Sequence, residues 1–201
     1  RARQGRVDVV DVPEQLVVAV DGRGDPGGPE FAAAVQALYA VSYPAHFLVK
    51  KRLGEAPRVM PLEALWWVED GAALDTFTRV ATGEASVDDV DRSLWRWRAF
   101  IAQPAPIDEE VLAAAVASAE QKDPAAPRVT IERWREGWCA QLLHVGPYAA
   151  EAPSIVALHA GLAAQGYRPR GRHHEIYLGD PRRSAPEKLR TILRHPVEPA
   201  A

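Results

Sequence analysis

The chain has 201 residues, of which 47% are apolar and 25% charged, enough to bury one large core or two small ones. Its formal net charge of −3, with Arg and Lys scattered among Asp and Glu, leaves no basic footprint for nucleic acid and argues against a DNA partner. Cys139 is the single cysteine, which excludes an intramolecular disulfide framework.

No apolar run is read as approaching the roughly 20 residues of a membrane span. Arg1 to Gly5 lead into a stretch interrupted by Asp8 and Asp11, not into an apolar signal segment. The expectation is a cytoplasmic protein without a membrane partner.

Val7, Val9 and Val12 alternate with Asp8 and Asp11, and Gln15 to Val20 is nearly continuously apolar, which predicts two strands parted at Pro13. The run from Asp21 to Pro29, rich in Gly and Pro, stops the strand pattern. Phe31, Val35, Leu38 and Tyr39 then recur at helical spacing, continued by Ser42, His46 and Val49, with Pro44 expected to kink or restart the helix. Val59 to Val68 reads as the next strand. Ala81 to Ser86 reads as a turn around Gly83. Asp88 or Asp89 then caps a predicted helix with Val90, Leu94, Trp97 and Ile101 in one stripe. A further helix is predicted from about Asp108 to Glu120, followed by a linker from Lys122 to Pro127.

Val129, Ile131 and Arg133 alternate with Thr130, Glu132 and Trp134, and Gly137 predicts a hairpin turn into Trp138 to Val145. Gly146-Pro147-Tyr148 ends that unit. Ile155, Leu158, His159 and Leu162 predict a helix that stops near Gly166. His173 to Leu178 reads as a strand, Pro186 to Leu189 as one helical turn and Arg190 to Val197 as the last strand.

The two ends repeat an order of hairpin, Gly/Pro turn, amphipathic helix and a strand that carries a glutamate, Glu63 in the first and Glu175 in the second. The predicted fold class is therefore α+β. Duplicated strand-helix-strand-strand units form one mostly antiparallel sheet, with helices on one face and a ligand cleft on the other. One domain is expected, with a first repeat over about 6–80, a helical insertion over about 86–125 and a second repeat over about 127–197.

Glu175 is the residue of greatest interest. Strand alternation puts it with Tyr177 on one surface while Ile176 and Leu178 take the other. A carboxylate drawn into a cleft loses hydration unless hydrogen bonds or a cation replace it, which suits a general base or a docking point for a cationic ligand. Other chemistries are weaker. His144, His159, His173, His174 and His195 match no zinc spacing, so no metal is expected. Cys139 and His144 fall on opposite faces of a strand, and Ser42, Ser154 and Ser184 stand in no nucleophile elbow.

The segments from Trp138 to Tyr148, from His173 to Pro181 and from Lys188 to Arg194 resemble the C-terminal half of stand-alone GyrI-like small-molecule-binding proteins, relatives of the effector-binding domains of multidrug-sensing regulators. The similarity also touches Tyr39 to Lys51, Leu62 to Val68 and Trp95 to Pro104. It implies an aromatic cleft that accepts flat, often cationic, drug-like molecules, with Glu175 at its floor. For some stand-alone members it implies hydrolysis of the reactive cyclopropane of DNA-alkylating antibiotics. On this reading Glu175 and Tyr177 are the candidate catalytic residues. Tyr39, Trp67, Trp95 and Tyr148 join them as candidate ligand-binding residues, while Trp66, Trp97, Trp134 and Trp138 are assigned to packing or surface. A cofactor is not required, and a monomer or homodimer is expected. Two readings stay open: a hydrolase of strained electrophiles, and a multidrug-binding or sensor module without chemistry.

Overall fold

A computed structural model of the chain describes residues 2–55, 57–69, 79–80, 82–85 and 91–200. Its strands are β1 (Asp8–Arg23), β2 (Leu62–Val68), β3 (Trp95–Gln103), β4 (Thr130–Val145), β5 (Tyr167–Pro169), β6 (His173–Tyr177) and β7 (Arg190–Pro199). Among the described residues three long α-helices accompany them: α1 (Pro29–Leu53), α2 (Glu109–Lys122) and α3 (Ala152–Ala164). The strand-helix-strand-strand order thus occurs twice, as β1-α1-β2-β3 and as β4-α3-β6-β7, with α2 between.

The strands follow the spatial order β4-β1-β3-β2-β6-β7, and β7 pairs back to β4, so the antiparallel sheet closes on itself as a barrel. β5 extends the outer end of β7. One set of side chains points outward beneath the helices. Leu16, Val18, Trp66, Trp97 and Ile101 meet α1 and α2 there, and Leu142, Leu193 and Val197 meet α3 through Leu158 and Leu162. The alternate set, with Val17, Ala19, Leu65, Phe100 and Ala102, fills the interior. Gly22 lies opposite Trp97 on the neighbouring strand, where a Cβ would fall 2.2 Å from the indole, so only glycine admits that ring.

Several sequence expectations change. Trp95 to Gln103 is a strand, not the continuation of a helix. Trp97 and Ile101 imitate part of a helical stripe because both faces of β3 are covered from Ala99 to Gln103, which removes the polar alternation of a half-exposed strand. Asp88, Asp89 and Val90 lie outside the described residues.

The two expected hairpins are instead two long strands. β1 and β4 pair with each other through continuous register from Asp8↔Gln141 to Ala19↔Thr130, stepping over Pro13, which has no N–H to give. Gly137, at φ +76°, lets β4 bend at that level without ending it. α1 continues through Pro44. It is also long and apolar enough to cross a membrane by length and composition alone, contrary to the reading of no such run. Eight of its residues, from Ala34 to Val49, are buried in the protein. The remaining helices agree with expectation: Asp108 caps α2 by accepting from the Val111 N–H at 2.9 Å.

The barrel interior holds a chain of charges. His174 is fully buried and lies between Glu63 Oε2 (3.0 Å from Nε2) and Glu136 Oε1 (2.9 Å from Nδ1). Arg194 donates to Glu136 Oε2 at 3.0 Å and to Gln141 Oε1. Phe100 and Trp134 flank the imidazole at 5.3 and 5.8 Å.

Candidate functional site

β6 places Glu175 and Tyr177 on one face, as alternation requires, beside Ala64 and Leu62 of β2 and Leu193 and Thr191 of β7. This is the helix-bearing face, because Tyr177 packs against the core under α1 and Tyr148, just before α3, packs against Tyr177. The opposite face is the filled interior of the barrel. Glu175 therefore lies on the same side as the helices, between α1 and α3, and not on the side away from them. Barrel closure, which alternation along single strands does not reveal, is the reason.

The acid is held by its neighbours. Tyr177 Oη donates to Glu175 Oε2 at 2.7 Å and accepts from Trp66 Nε1 at 3.1 Å. His173 Nε2 lies 3.4 Å from Glu175 Oε1. The Glu175 side chain is 15% exposed, so the carboxylate is half-dry but reachable. Tyr177 is pushed well above the ordinary phenol range by burial and by the adjacent Glu175 charge, so its proton stays on the hydroxyl. It orients Glu175 rather than offering a free donor.

A second carboxyl stands close by. Glu151 stands at the N-cap position of α3 without making a capping hydrogen bond, is 5% exposed, and its Oε1 has no hydrogen-bond partner. Burial, reinforced by the charge of Glu175 and only partly offset by Thr191, pushes its carboxyl up to about 9. At neutral pH Glu151 thus keeps its proton. Tyr148 turns its ring edge-on to Tyr177 at 5.5 Å and remains 37% exposed. Burial, then the charges of Glu151, Glu175 and Asp180, raise its hydroxyl to about 12. Behind Glu175, His173 is 6.1 Å from His195, which is 5.0 Å from His159. Burial lowers His159 to about 4 and drives His195 well below the usual imidazole range, so these two rings are neutral.

Not every predicted ring joins the acid. Tyr39 stacks on Tyr43 at 5.7 Å along α1 and packs against the same core cluster as Tyr177. Trp95 stands one ring back, edge-on to Trp66 at 5.6 Å. Trp67 is not brought to Glu175. It takes the opposite face of β2, where Arg172 stacks 3.5 Å above its ring at the barrel mouth. Trp66, assigned to packing, is the indole that reaches the site. Trp97 is buried, Trp134 belongs to the interior and Trp138 is exposed. Glu151 was missed by sequence reasoning; its signal is its place three residues after Tyr148 in the Gly146-Pro147-Tyr148 run.

Two grooves open elsewhere. One of about 600 Å³ lies between α1 and α2 and includes Tyr39 and Tyr43. Another of about 680 Å³ lies at the barrel mouth beside Trp67, Arg96, Arg98 and Arg172. Glu175 lines neither. Among the described residues no cluster of three His, Cys, Asp or Glu side chains could hold a metal ion. Cys139 is buried, and burial pushes its thiol far above the reactive range.

A family model described as a GyrI-like small molecule binding domain matches residues 6–198. An uncharacterized conserved protein from Listeria innocua has 36% identity and a TM-score of 0.82, covering 98% of this chain and 94% of its own. A second Listeria innocua structure, described as a hydrolase, has 34% identity and a TM-score of 0.76 with the same coverage. The C-terminal domain of EcmrR shares the fold at 12% identity and a TM-score of 0.53, covering 97% of this chain and 98% of its own. No curated protein sequence matches this one.

Proposed function

We propose, because this chain belongs to the GyrI-like small-molecule-binding family, that the surface around Glu175, between its two repeats, binds planar aromatic, often cationic, molecules and hydrolyses strained electrophiles of the cyclopropanoid class. The observation that carries this reading is the half-buried Glu175 carboxylate, fixed by Tyr177 at 2.7 Å and set beside the buried Glu151. The hydrolase description of a relative at 34% identity supports the enzymatic version.

Glu175 takes a proton from water, and the oxygen attacks the methylene carbon of the strained ring. The carbon–carbon bond breaks and its electron pair moves through the conjugated ring system to the carbonyl oxygen. Glu151 gives that oxygen a proton, aided by a hydrogen bond from Tyr148. Water is consumed, the two carboxyls exchange one proton between them, and no cofactor takes part. Tyr177 orients Glu175, while Tyr148 and Tyr39 offer ring faces to a flat guest, each contact worth about 0.5 to 2 kcal/mol for a cation.

Incubation with a cyclopropanoid alkylator tests the proposal by mass spectrometry of the product. Several equivalents of ring-opened, water-added product per protein support hydrolysis. Stoichiometric quenching of tryptophan fluorescence without product leaves the binding or sensor reading. Neither signal rejects both.

The pH profile offers a further check. Because Glu151 titrates near 9 and acts as the proton donor, turnover is expected to hold through neutral pH and fall as pH rises through about 9. Glu151→Gln is expected to lower the plateau and remove that alkaline limb. An unchanged limb in the variant contradicts the assignment.

A further inference from the structure

We propose that the outward face of α1 is a self-association surface, on which a second copy of this chain packs α1 against α1 about a two-fold axis. α1 carries no Asp, Glu, Lys or Arg from Phe31 to Val49, so it is apolar on the side that leaves the core as well as on the side that enters it. Tyr43 (50% exposed), Phe47 (65%) and Leu48 (38%) stand out from its second half. Its first half presents the reverse shape. Ala33, Ala37 and Ala40 line a groove of about 600 Å³ whose other wall is Val116 and Ala119 of α2. Knob and hollow lie on one helix, and rows three and four residues apart share a helical face. An antiparallel two-fold contact centred between them inserts Phe47 of each copy into the groove of the other.

Charge selects the same arrangement. α2 runs opposite to α1. It starts beyond Gln103, which donates to Ser42 in the second half of α1, and ends before Thr130, which bonds Ala19 near the end of β1 that leads into α1. Glu120 near the end of α2 and Asp123 just past it, with Lys122 between them, therefore rim the groove at the N-terminal half of α1 and leave that rim net acidic. The last turn of α1 carries Lys50, Lys51 and Arg52. In the antiparallel contact the basic end of one copy passes over the acidic rim of the other, twice. A parallel contact brings like charges together. The stripe from Ala33 to Lys51 is about 27 Å long by the helical rise. With the flanking α2 it offers a patch of the order needed for a small specific interface.

Sedimentation velocity across the micromolar range tests the inference on the intact chain. The expected result is a reversible dimer. Phe47→Glu should raise its dissociation constant at least about 30-fold, the loss of one hot-spot ring. Lys51→Glu and Glu120→Lys should each weaken it, and the two together should regain most of the loss. Phe47, Lys51 and Glu120 are exposed, so thermal melts taken well below the dissociation constant of the parent should match for all variants. A chain that stays monomeric, a dimer indifferent to Phe47→Glu, or a monomer that co-sediments with anionic lipid vesicles through Phe47 overturns the proposal.

Discussion

Glu175→Gln is expected to lower the rate of cyclopropanoid ring opening by about 10²–10⁴-fold, the range for loss of a positioned general base. The amide keeps the shape of the side chain and can still accept from Tyr177 Oη, which lies 2.7 Å away. What it loses is charge and basicity. Binding should respond according to the guest. A unit charge 4 Å away is worth roughly 4 kcal/mol at an effective dielectric near 20, before desolvation is subtracted. A planar cation should therefore lose tenfold or more in affinity, while a neutral molecule of the same outline should lose little. Trp66, hydrogen-bonded to Tyr177, and Trp95, edge-on to Trp66, place two indoles close enough to report occupancy by fluorescence. Equal loss for the cation and its neutral analogue points to a collapsed pocket and not to a missing charge.

His174→Leu is expected to destabilise the fold by about 3–5 kcal/mol, because it leaves the carboxylates of Glu63 and Glu136 facing one another inside the barrel with one cation, Arg194, to serve them. For a chain of this size the midpoint of thermal unfolding should drop by roughly 10 °C or more. A loss of under about 1 kcal/mol contradicts the view that the imidazolium holds the interior together. The same chain sets a pH window. Burial works against the charge on Glu136, but His174 and Arg194 outweigh it and hold the carboxyl at about 2, below its ordinary 4.5. Its stabilisation, about 3 kcal/mol by linkage, is present above the unfolded value and is lost as pH falls toward 2. Burial also works against the charge on His174, and Glu136 and Glu63 reverse that and raise it. Its share is complete below the unfolded value near 6.5 and is lost as pH rises through the folded one. The two shares report one interaction, so they bound the optimum on its acid and alkaline sides and do not add. Denaturant midpoints measured from pH 3 to 9 should peak between about 5 and 6.5.

The repeated strand-helix-strand-strand order could be read from the chain because its signals are local. Helical stripes in α1, α2 and α3, the Asp108 cap, and short apolar runs bounded by Gly and Pro fix those elements without reference to partners. Signals that depend on pairing misled. Pro13 and Gly137 look like turns, yet in two strands that pair with each other the register runs unchanged past both, Pro13 only lacking an N–H to give and Gly137 taking a positive φ. In β3, Trp97, Ala99 and Ile101 face helices while Phe100 and Ala102 face the interior, so apolar residues on both sides imitate a helical stripe.

The candidate site divides in the same way. The side-by-side placement of Glu175 and Tyr177 follows from period-two alternation alone, and the structure joins them by a hydrogen bond. Which tryptophan of the Trp66-Trp67 pair accompanies them depends on the register Ala64↔Glu175, which gives the even-numbered residues of β2 to the face of Glu175. No single strand carries that information. Glu151 enters through a short helical turn after Pro147 that folds it under Tyr148, and neither burial nor the pairing of two carboxyls is visible before the chain is folded.

A crystal structure with a bound planar cation such as a polycyclic dye tests the central claim most directly. The account predicts the ring plane against Tyr148, between α1 and α3, with the cationic centre within about 4 Å of Glu175. A dye seated instead in the groove between α1 and α2, or stacked on Trp67 at the barrel mouth, with Glu175 untouched, contradicts it.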